Sequence, residues 1–303
     1  MKRRVEFPRR LDVLRTLKRQ ALHGNDPTWS VRGGAHWCAF RTADGPATVR
    51  YTRADTNAAE VEAWGPGAAL ALEAAPAHLG AEDEPDAFAT EHPMVRRLVK
   101  RFPGFGFGRT GRVLEQLVPV IIGQKVTGKG AANSWRELLY RLGEEAPSAD
   151  HEHAPRLWLM PEPARFRELA YFDFHPLGIE RKRAQVILDV TRRARKIEAM
   201  LEHGADALQK RLLAFRGVGP WTTSIVRSVV CGDPDSVVVG DYNLPSLVTH
   251  AFTGEPRGDD DRMLELLEPF RPHRARVVSL IKMSGSSPPR FGPRLSVRNI
   301  RES

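Results

Sequence analysis

Apolar residues recur at helical spacing along most of the chain after residue 90. One such face consists of Leu114, Leu117, Val118, Ile121 and Ile122. A second face, on a segment rich in arginine, consists of Ala184, Ile187, Leu188 and Thr191. Residues with this spacing line one side of a helix, and Pro119 is expected to kink the first one. Further helices are predicted over residues 205–215, 220–231, 242–252, 260–269 and 273–283.

The first eighty-odd residues combine helical and strand-like patterns. Three leucines at three-residue spacing predict one short helix, and they are Leu11, Leu14 and Leu17. Residues 29–32 and 37–42 flank a Gly-Gly pair as the strands of a hairpin flank their turn. Residues 47–52 alternate between apolar and polar positions and predict another strand. We therefore expect a small sheet accompanied by helices.

These patterns predict a mainly α fold with a small α+β N-terminal domain. The acidic run at residues 81–86 interrupts all periodicity, so we place a domain boundary close to it. The predicted division is a sheet-plus-helix domain over residues 1–88, a helical bundle over 89–285 and a basic, flexible tail over 286–303.

Composition narrows the classes of function. The chain of 303 residues carries a formal net charge of +9, which favours a polyanionic partner such as nucleic acid. No apolar stretch is long enough to cross a membrane and none follows the basic N-terminus, so we expect a cytosolic protein. Its two cysteines, Cys38 and Cys231, are too few for a four-cysteine zinc site or a four-thiolate iron–sulfur cluster.

Three short motifs suggest other functions. Residues 106–111 match the dinucleotide-binding glycine pattern but follow no strand. Residues 123–130 resemble a phosphate-binding P-loop after an apolar segment, although Gly130 stands where that loop has a hydroxyl; they leave a nucleotide hydrolase open as an alternative. His151 and His153 are spaced for a loop rather than for one face of a helix, and we expect solvated histidines.

The segment 212–222 predicts a helix-hairpin-helix. Gly217 and Gly219 allow a tight turn with positive φ, and Pro220 occupies the favoured first turn of a new helix. Without side chains in the way, backbone N–H groups at Gly217, Val218, Gly219 and the start of the next helix can approach a phosphate. Such a turn holds the DNA backbone without reading its sequence.

An aspartate follows some twenty residues later, at Asp241, just before a predicted helix. Asp is a good N-cap, so a purely structural role is open. The succession of hairpin, helix and aspartate resembles the helix-hairpin-helix, Gly-Pro-Asp superfamily of base-excision DNA glycosylases. The similarity covers most of residues 93–283 and is greatest to the alkyl-purine branch, the 3-methyladenine DNA glycosylase II group, whose small N-terminal sheet domain residues 1–88 also resemble.

The resemblance implies a monofunctional DNA glycosylase that hydrolyses the N-glycosidic bond of a flipped, alkylated purine in double-stranded DNA. Asp241 would stabilise the oxocarbenium-like sugar and orient the water. Trp221 stands where lyase members carry a nucleophilic lysine. No organic or redox cofactor and no catalytic metal is implied, although carbonyls near Phe215 and Val218 would suit a monovalent cation. We expect a monomer.

The resemblance also implies a set of contact residues. The base pocket is expected from Trp221, Tyr242 and Ile225. The DNA-binding residues are expected to be Arg216, Gly217, Val218, Gly219, Thr222, Gln124, Lys125, Arg181, Lys182 and Arg183.

The match departs from the alkyl-purine pattern at three places. Lys125 occupies the position of the wedge that fills the gap left by the flipped base, and Ile225 stands where a tyrosine is common. Ile281-Lys282-Met283 stands where the last helix can contribute aromatic rings. Because aromatic rings attract cationic alkylated purines, these changes keep a second hypothesis open. It is a non-catalytic DNA-binding or lesion-sensing protein.

Overall fold

An antiparallel five-stranded sheet forms the N-terminal part of the computed structural model, which describes residues 1–21 and 23–289. Its strands are β1 (Lys2–Glu6), β2 (Trp29–Arg32), β3 (Ala35–Thr42), β4 (Gly45–Arg53) and β5 (Ala58–Trp64). They are hydrogen-bonded in the order β1-β5-β4-β3-β2. The predicted hairpin is confirmed, since Trp29 pairs with Cys38 and Arg32 with Ala35 across the Gly-Gly turn. β4 confirms the third predicted strand, whereas β1 and β5 were not predicted.

One face of the sheet packs against two helices, α1 (Val13–Lys18) and α2 (Ala68–His78). The short helix predicted from the three leucines is thereby confirmed as α1, but the three leucines do not together form its buried face. Leu17 is buried, Leu14 is 38 % exposed and Leu11 precedes the helix. The reason is that Val13 and Thr16 share the buried face with Leu17.

The other face of the sheet is covered by a segment from the later part of the chain. Trp37 packs with Leu157 and Leu159, next to a two-stranded sheet of β6 (Glu144–Glu145) and β7 (Trp158–Leu159). The expectation that the C-terminal two thirds is entirely helical is therefore wrong here. The second face of the five-stranded sheet is apolar as well and must be shielded from water, and the segment that contains β6 and β7 shields it.

The remaining elements are helices. They are α3 (Pro93–Arg101), α4 (Val113–Ile122), α5 (Gly128–Leu142), α6 (Pro163–Phe166), α7 (Arg181–Thr191), α8 (Ala194–Glu198), α9 (Ala205–Leu213), α10 (Pro220–Val230), α11 (Leu244–Thr253), α12 (Asp260–Leu267) and α13 (Arg274–Ser284). The helices predicted from periodicity are confirmed within a few residues at each end. The predicted fold class, mainly helical with a small α+β N-terminal part, is also confirmed.

The helical part has two apolar cores. Residues 113–231 supply the first, which we call the middle lobe. Residues 93–107 and 237–283 supply the second, which we call the split lobe because its two segments flank the middle lobe in sequence. The predicted division at residue 88 stays a prediction.

A buried ion pair joins the acidic run to the split lobe. Arg276 on α13 and Asp83 pair through their side chains, and both are almost fully buried. Asp83 also accepts a hydrogen bond of 2.7 Å from the backbone N–H of Phe107. The acidic run at residues 81–86 is thus held against the split lobe through Asp83.

The nucleotide-binding motifs are not borne out by the structure. A P-loop would need residues 117–122 as a strand, but they lie in α4, as their periodicity predicts. A nucleotide hydrolase would also need residues 236–241 as a strand that presents an aspartate to magnesium, and they form none. Residues 106–111 follow α3 in irregular structure, which agrees with the expectation that no strand precedes them.

Other sequence expectations concern loops and ends. Residues 149–157 around His151 and His153 form a loop, and no metal-binding group of His, Cys, Asp and Glu occurs within residues 1–21 and 23–289. Of the predicted tail, residues 286–289 have neither helix nor strand, and residues 290–303 lie outside the described part. None of the helices described has the length and apolarity needed to span a membrane.

Candidate active site

The hairpin connects α9 to α10 through residues 214–219. Gly217 has φ of +89°, a conformation that costs other residues about 1–2 kcal/mol. A Cβ built there would lie 2.6 Å from Cγ2 of Val186 on α7, so a side chain has no room either. Gly219 is the N-cap of α10 and Pro220 its first residue, as predicted. Sequence and packing therefore both require this turn.

The turn presents free backbone donors to solvent. Within the part of the chain that the structure covers, the N–H groups of Gly217 and Gly219 have no acceptor. Gly217 and Arg216 are exposed, and the partial positive charge at the start of α10 adds attraction for an anion. Val218 points the other way: its side chain is 5 % exposed and packs in the middle lobe. Its predicted DNA contact is thus limited to its backbone.

Gln124 braces the hairpin against the turn between α4 and α5. Its Nε2 donates to the carbonyl oxygen of Gly217 and to Oγ1 of Thr222, at 2.9 Å in each case. Thr222 is 1 % exposed, so its side chain does not reach DNA, and its predicted contact is limited to its backbone in the first turn of α10. The hydroxyl instead serves this internal bond. Sequence alone placed both residues near DNA without indicating that they bond to each other.

Lys125 follows Gln124 at the tip of the same turn. It is exposed and has φ of +55°, one of two non-glycine residues with positive φ in the described part of the chain. Such strain costs about 1–3 kcal/mol and is typical of functional positions. The structure thus places Lys125 beside the hairpin, where a side chain could enter DNA, and its wedge role stays a prediction.

Asp241 lies just before α11 and uses its two carboxylate oxygens differently. Oδ1 accepts from the backbone N–H of Asn243 at 2.9 Å and of Leu244 at 2.8 Å, which caps the start of α11 from two residues before its N-cap, since the N-cap residue itself is Asn243. Oδ2 has only a long contact of 3.5 Å with Nε1 of Trp221. The loop before it is held by Asp260, which accepts from the N–H of Gly240 at 2.9 Å. The capping role and an available second oxygen therefore coexist.

Trp221 joins the hairpin helix to this acid. It is partly buried against the middle lobe, and its Cη2 would lie 3.8 Å from a Cβ at Gly123. Ile225, one turn further on α10, is half-buried and also packs on the middle-lobe core. Tyr242, next to Asp241, is 87 % exposed and packs on no core, so its place in a base pocket stays a prediction. The capping turn at Asp241 directs the next side chain outward.

Lys282 is the residue near Asp241 that sequence reasoning did not select. It lies in the last turn of α13, is open to solvent and has no hydrogen bond or ion pair with the other described residues. Burial of its ammonium among protein atoms lowers the pKa of Lys282, and attraction to Asp241 opposes this. Lys282 stands some forty positions after Asp241, so only the packing of α13 against α11 brings it toward the acid.

The three basic residues at the start of α7 differ in exposure to solvent. Arg181 and Lys182 are exposed, and Arg181 stacks over the ring of Tyr171 at 4.4 Å. Arg183 is 5 % exposed and donates to the carbonyl oxygen of Ile122 at 2.6 Å. Its predicted DNA contact is wrong, because the guanidinium ties α7 to the end of α4. Burial accordingly lowers its pKa.

The hairpin carbonyls, where a monovalent cation is predicted, differ in their hydrogen bonds. The carbonyl of Phe215 accepts from the N–H of Val218 at 3.0 Å, and that of Gly217 accepts from Gln124. The carbonyls of Arg216 and Val218 have no donor among residues 1–21 and 23–289. A carbonyl oxygen has two lone pairs, so the cation at Phe215 and Val218 stays a prediction.

A glycine hairpin, an acid at the start of the second helix after it and a preceding antiparallel sheet define the fold of the helix-hairpin-helix DNA glycosylases. The resemblance seen in the sequence is thus confirmed. The chain is 28 % identical over 138 residues to YfjP of Bacillus subtilis, which is described as a putative DNA-3-methyladenine glycosylase. The match covers 44 % of this chain and 48 % of that relative, so the chain spans about half its length. No family model matches the chain.

Solved structures extend the likeness in fold to nearly the whole chain. The 3-methyladenine DNA glycosylase of Archaeoglobus fulgidus superposes with a TM-score of 0.73 at 18 % identity, over 92 % of this chain and 97 % of that one. The 8-oxoguanine glycosylase/lyase of Clostridium acetobutylicum, bound to double-stranded DNA, gives 0.66 at 11 % identity, over 92 % and 96 %. At these identities the likeness concerns the fold.

Proposed function

We propose that this chain is a monofunctional DNA glycosylase of base excision repair that releases a damaged, alkylated purine from double-stranded DNA. The observation that carries the proposal is Asp241, whose Oδ1 is fixed by two N–H groups while Oδ2 stays available beside Trp221. A carboxylate held in this way is ready to act without reorganisation.

The grip on DNA comes from the hairpin. Free N–H groups at Gly217 and Gly219 and the start of α10 can bind a phosphate without contacting bases. Arg216, Arg181 and Lys182 are exposed and supply further positive charge. Holding the strand here places the neighbouring nucleotide, once flipped, near the acid one helix further on.

The chemical step needs little more than this acid. As the N-glycosidic bond breaks, positive charge develops on the deoxyribose, and Oδ2 of Asp241 stabilises it. Water adds at C1′ and its proton passes to the carboxylate, which leaves an abasic site. Trp221 offers a ring for stacking and no amine, so the hairpin position used by lyases cannot attack the sugar here.

The test is release of the base from duplexes that each contain one lesion, with abasic sites revealed by alkaline cleavage. Wild type should produce abasic sites, Asp241→Asn should not, and Asp261→Asn should match wild type. Asp261 is a suitable control because it is an exposed acid on α12. Binding by wild type without any abasic site would contradict the proposal and favour the lesion-sensing alternative, which the exposed Tyr242 and the few aromatic side chains near Asp241 support.

A further inference from the structure

The loop that leads to Asp241 makes few hydrogen bonds through its backbone. Residues 237–241 belong to no helix or strand, and Val237 at their start is buried in the core of the split lobe. In the part of the chain that the structure describes, their backbone makes one hydrogen bond, of 2.9 Å, from the N–H of Gly240 to Oδ2 of Asp260. The position of the acid therefore depends strongly on Asp260.

Gly240 contacts the hairpin helix as well as Asp260. A Cβ built at Gly240 would lie 4.0 Å from Cβ of Trp221, so the loop passes between the start of α12 and α10. Gly240 has φ of +82°, and glycine is the residue with the most backbone freedom to lose. Oδ2 of the next residue, Asp241, lies 3.5 Å from Nε1 of Trp221. A displacement of Gly240 would therefore move the acid relative to the hairpin helix.

Asp260 is the first residue of α12, but the helix does not need it as a cap. Oδ1 of Asp259 accepts from the N–H of Arg262 at 2.9 Å and caps the helix, and the exposed Asp261 adds negative charge to the same turn. Oδ1 of Asp260 is shielded from solvent and has no hydrogen-bond partner among residues 1–21 and 23–289. An unpaired buried acceptor destabilises a fold, so the bond to Gly240 is the interaction that this side chain serves.

We propose that Asp260 is a positioning residue that acts through the N–H of Gly240 and holds Asp241 where its free oxygen meets the sugar of the flipped nucleotide. The inference rests on the proposed glycosylase function. Asp260 touches neither base nor sugar in this role. A misplacement of about 1 Å can lower a rate by about 10²-fold, so loss of this bond should slow base release. Affinity for DNA should not change, because the hairpin holds the strand.

The experiment measures single-turnover excision from duplexes that contain one 7-methylguanine or one 1,N6-ethenoadenine, with the lesion that wild type releases faster used for the variants. The test variants are Asp260→Ala and Asp260→Asn. The matched controls lie in the same turn: Asp259→Ala removes the helix cap, and Asp261→Ala removes an exposed negative charge. Fluorescence anisotropy gives the affinity of each variant for the duplex, and melting curves give its stability.

Asp260→Ala should release the base about 10- to 10²-fold more slowly than wild type, with unchanged affinity for the duplex. It should melt close to Asp261→Ala, because removal of the unpaired oxygen offsets the lost hydrogen bond. Asp260→Asn should recover most of the rate, since an amide oxygen can accept from Gly240. Asp259→Ala should melt at a lower temperature and still excise as wild type does.

A double-mutant cycle tests whether Asp260 acts through Gly240. Gly240→Ala strains the same loop at its positive φ, so it should also slow excision. If both changes misplace the same acid, the double variant Asp260→Ala/Gly240→Ala should lose less than the product of the two single losses. Fully multiplicative losses would contradict the proposed route through Gly240.

Three further results would overturn the role of Asp260 while leaving the glycosylase intact. The first is excision by Asp260→Ala at the rate of Asp261→Ala. The second is equal slowing by Asp259→Ala, which would mean that only the stability of the helix start matters. The third is Asp260→Asn as slow as Asp260→Ala, which would assign the effect to charge. Failure of wild type to release any alkylated purine contradicts the proposed function itself, so the two failures are distinct.

Discussion

Replacing Asp241 by asparagine isolates the charge of this side chain from its structural role. Asparagine keeps a carbonyl oxygen where Oδ1 accepts the N–H groups of Asn243 and Leu244, so the cap on α11 survives. The negative charge at Oδ2 is lost. Alanine at the same position removes both.

The structure sets the size of each effect. Loss of a preorganised charge and proton acceptor lowers the rate of excision by about 10²–10⁴, or about 3–5 kcal/mol of transition-state stabilisation. Loss of the cap lowers the free energy of unfolding by about 1 kcal/mol. We therefore expect Asp241→Asn to be inactive and as stable as wild type. Asp241→Ala should be inactive and melt about 2 °C lower.

The assay is single-turnover base excision with enzyme in excess over a lesion-containing duplex, together with thermal unfolding of the free proteins. Affinity for the duplex, measured by fluorescence anisotropy, checks that binding persists. Excision by Asp241→Asn within tenfold of wild type would refute the catalytic role. The carboxylate would then be only a helix cap.

Three further expectations concern other parts of the molecule. Asp83→Ala leaves the buried charge of Arg276 without its partner and should lower the free energy of unfolding by about 3–5 kcal/mol in urea denaturation; a change below 1 kcal/mol would contradict this. Gly217→Ala should weaken duplex binding measured by anisotropy, because φ of +89° and the lack of space deform the turn; unchanged affinity would show that the turn does not bind phosphate. Burial raises the pKa of Cys38 to about 12, so iodoacetamide at pH 8 should leave it unmodified when followed by peptide mass spectrometry, whatever the rate at Cys231.

Helical periodicity predicted α4, α7 and α9 to α13, but it did not predict α3, α5, α6 and α8. The sheet was harder to predict. β1 has one buried residue, Val5, among charged neighbours at the edge of the sheet, so its sequence carries almost no strand pattern. α2 is nearly all alanine and leucine, and its register comes from packing on β4 and β5 rather than from alternation.

In the candidate site too, some features could be predicted from local sequence and others depend on packing. The hairpin and Asp241 could be predicted because each residue type suits its local backbone. Glycine allows the positive φ of the turn, proline begins α10, and aspartate accepts N–H groups at the start of α11. Burial of the side chains of Arg183 and Thr222 depends on what packs over them, so the sequence does not show that neither side chain is open to DNA. Lys282 lies on α13, which packs beside α11, and no local sequence pattern predicts that the two helices are neighbours.

The middle lobe is one uninterrupted stretch, and the split lobe is assembled from the chain on either side of it. The middle lobe, which carries the hairpin and Trp221, thus interrupts the split lobe in sequence, and Asp241 follows it. On the proposed function, the groups that would hold the strand and the acid that would act on the sugar belong to separate packing units, so substitutions in one core can leave the other unchanged.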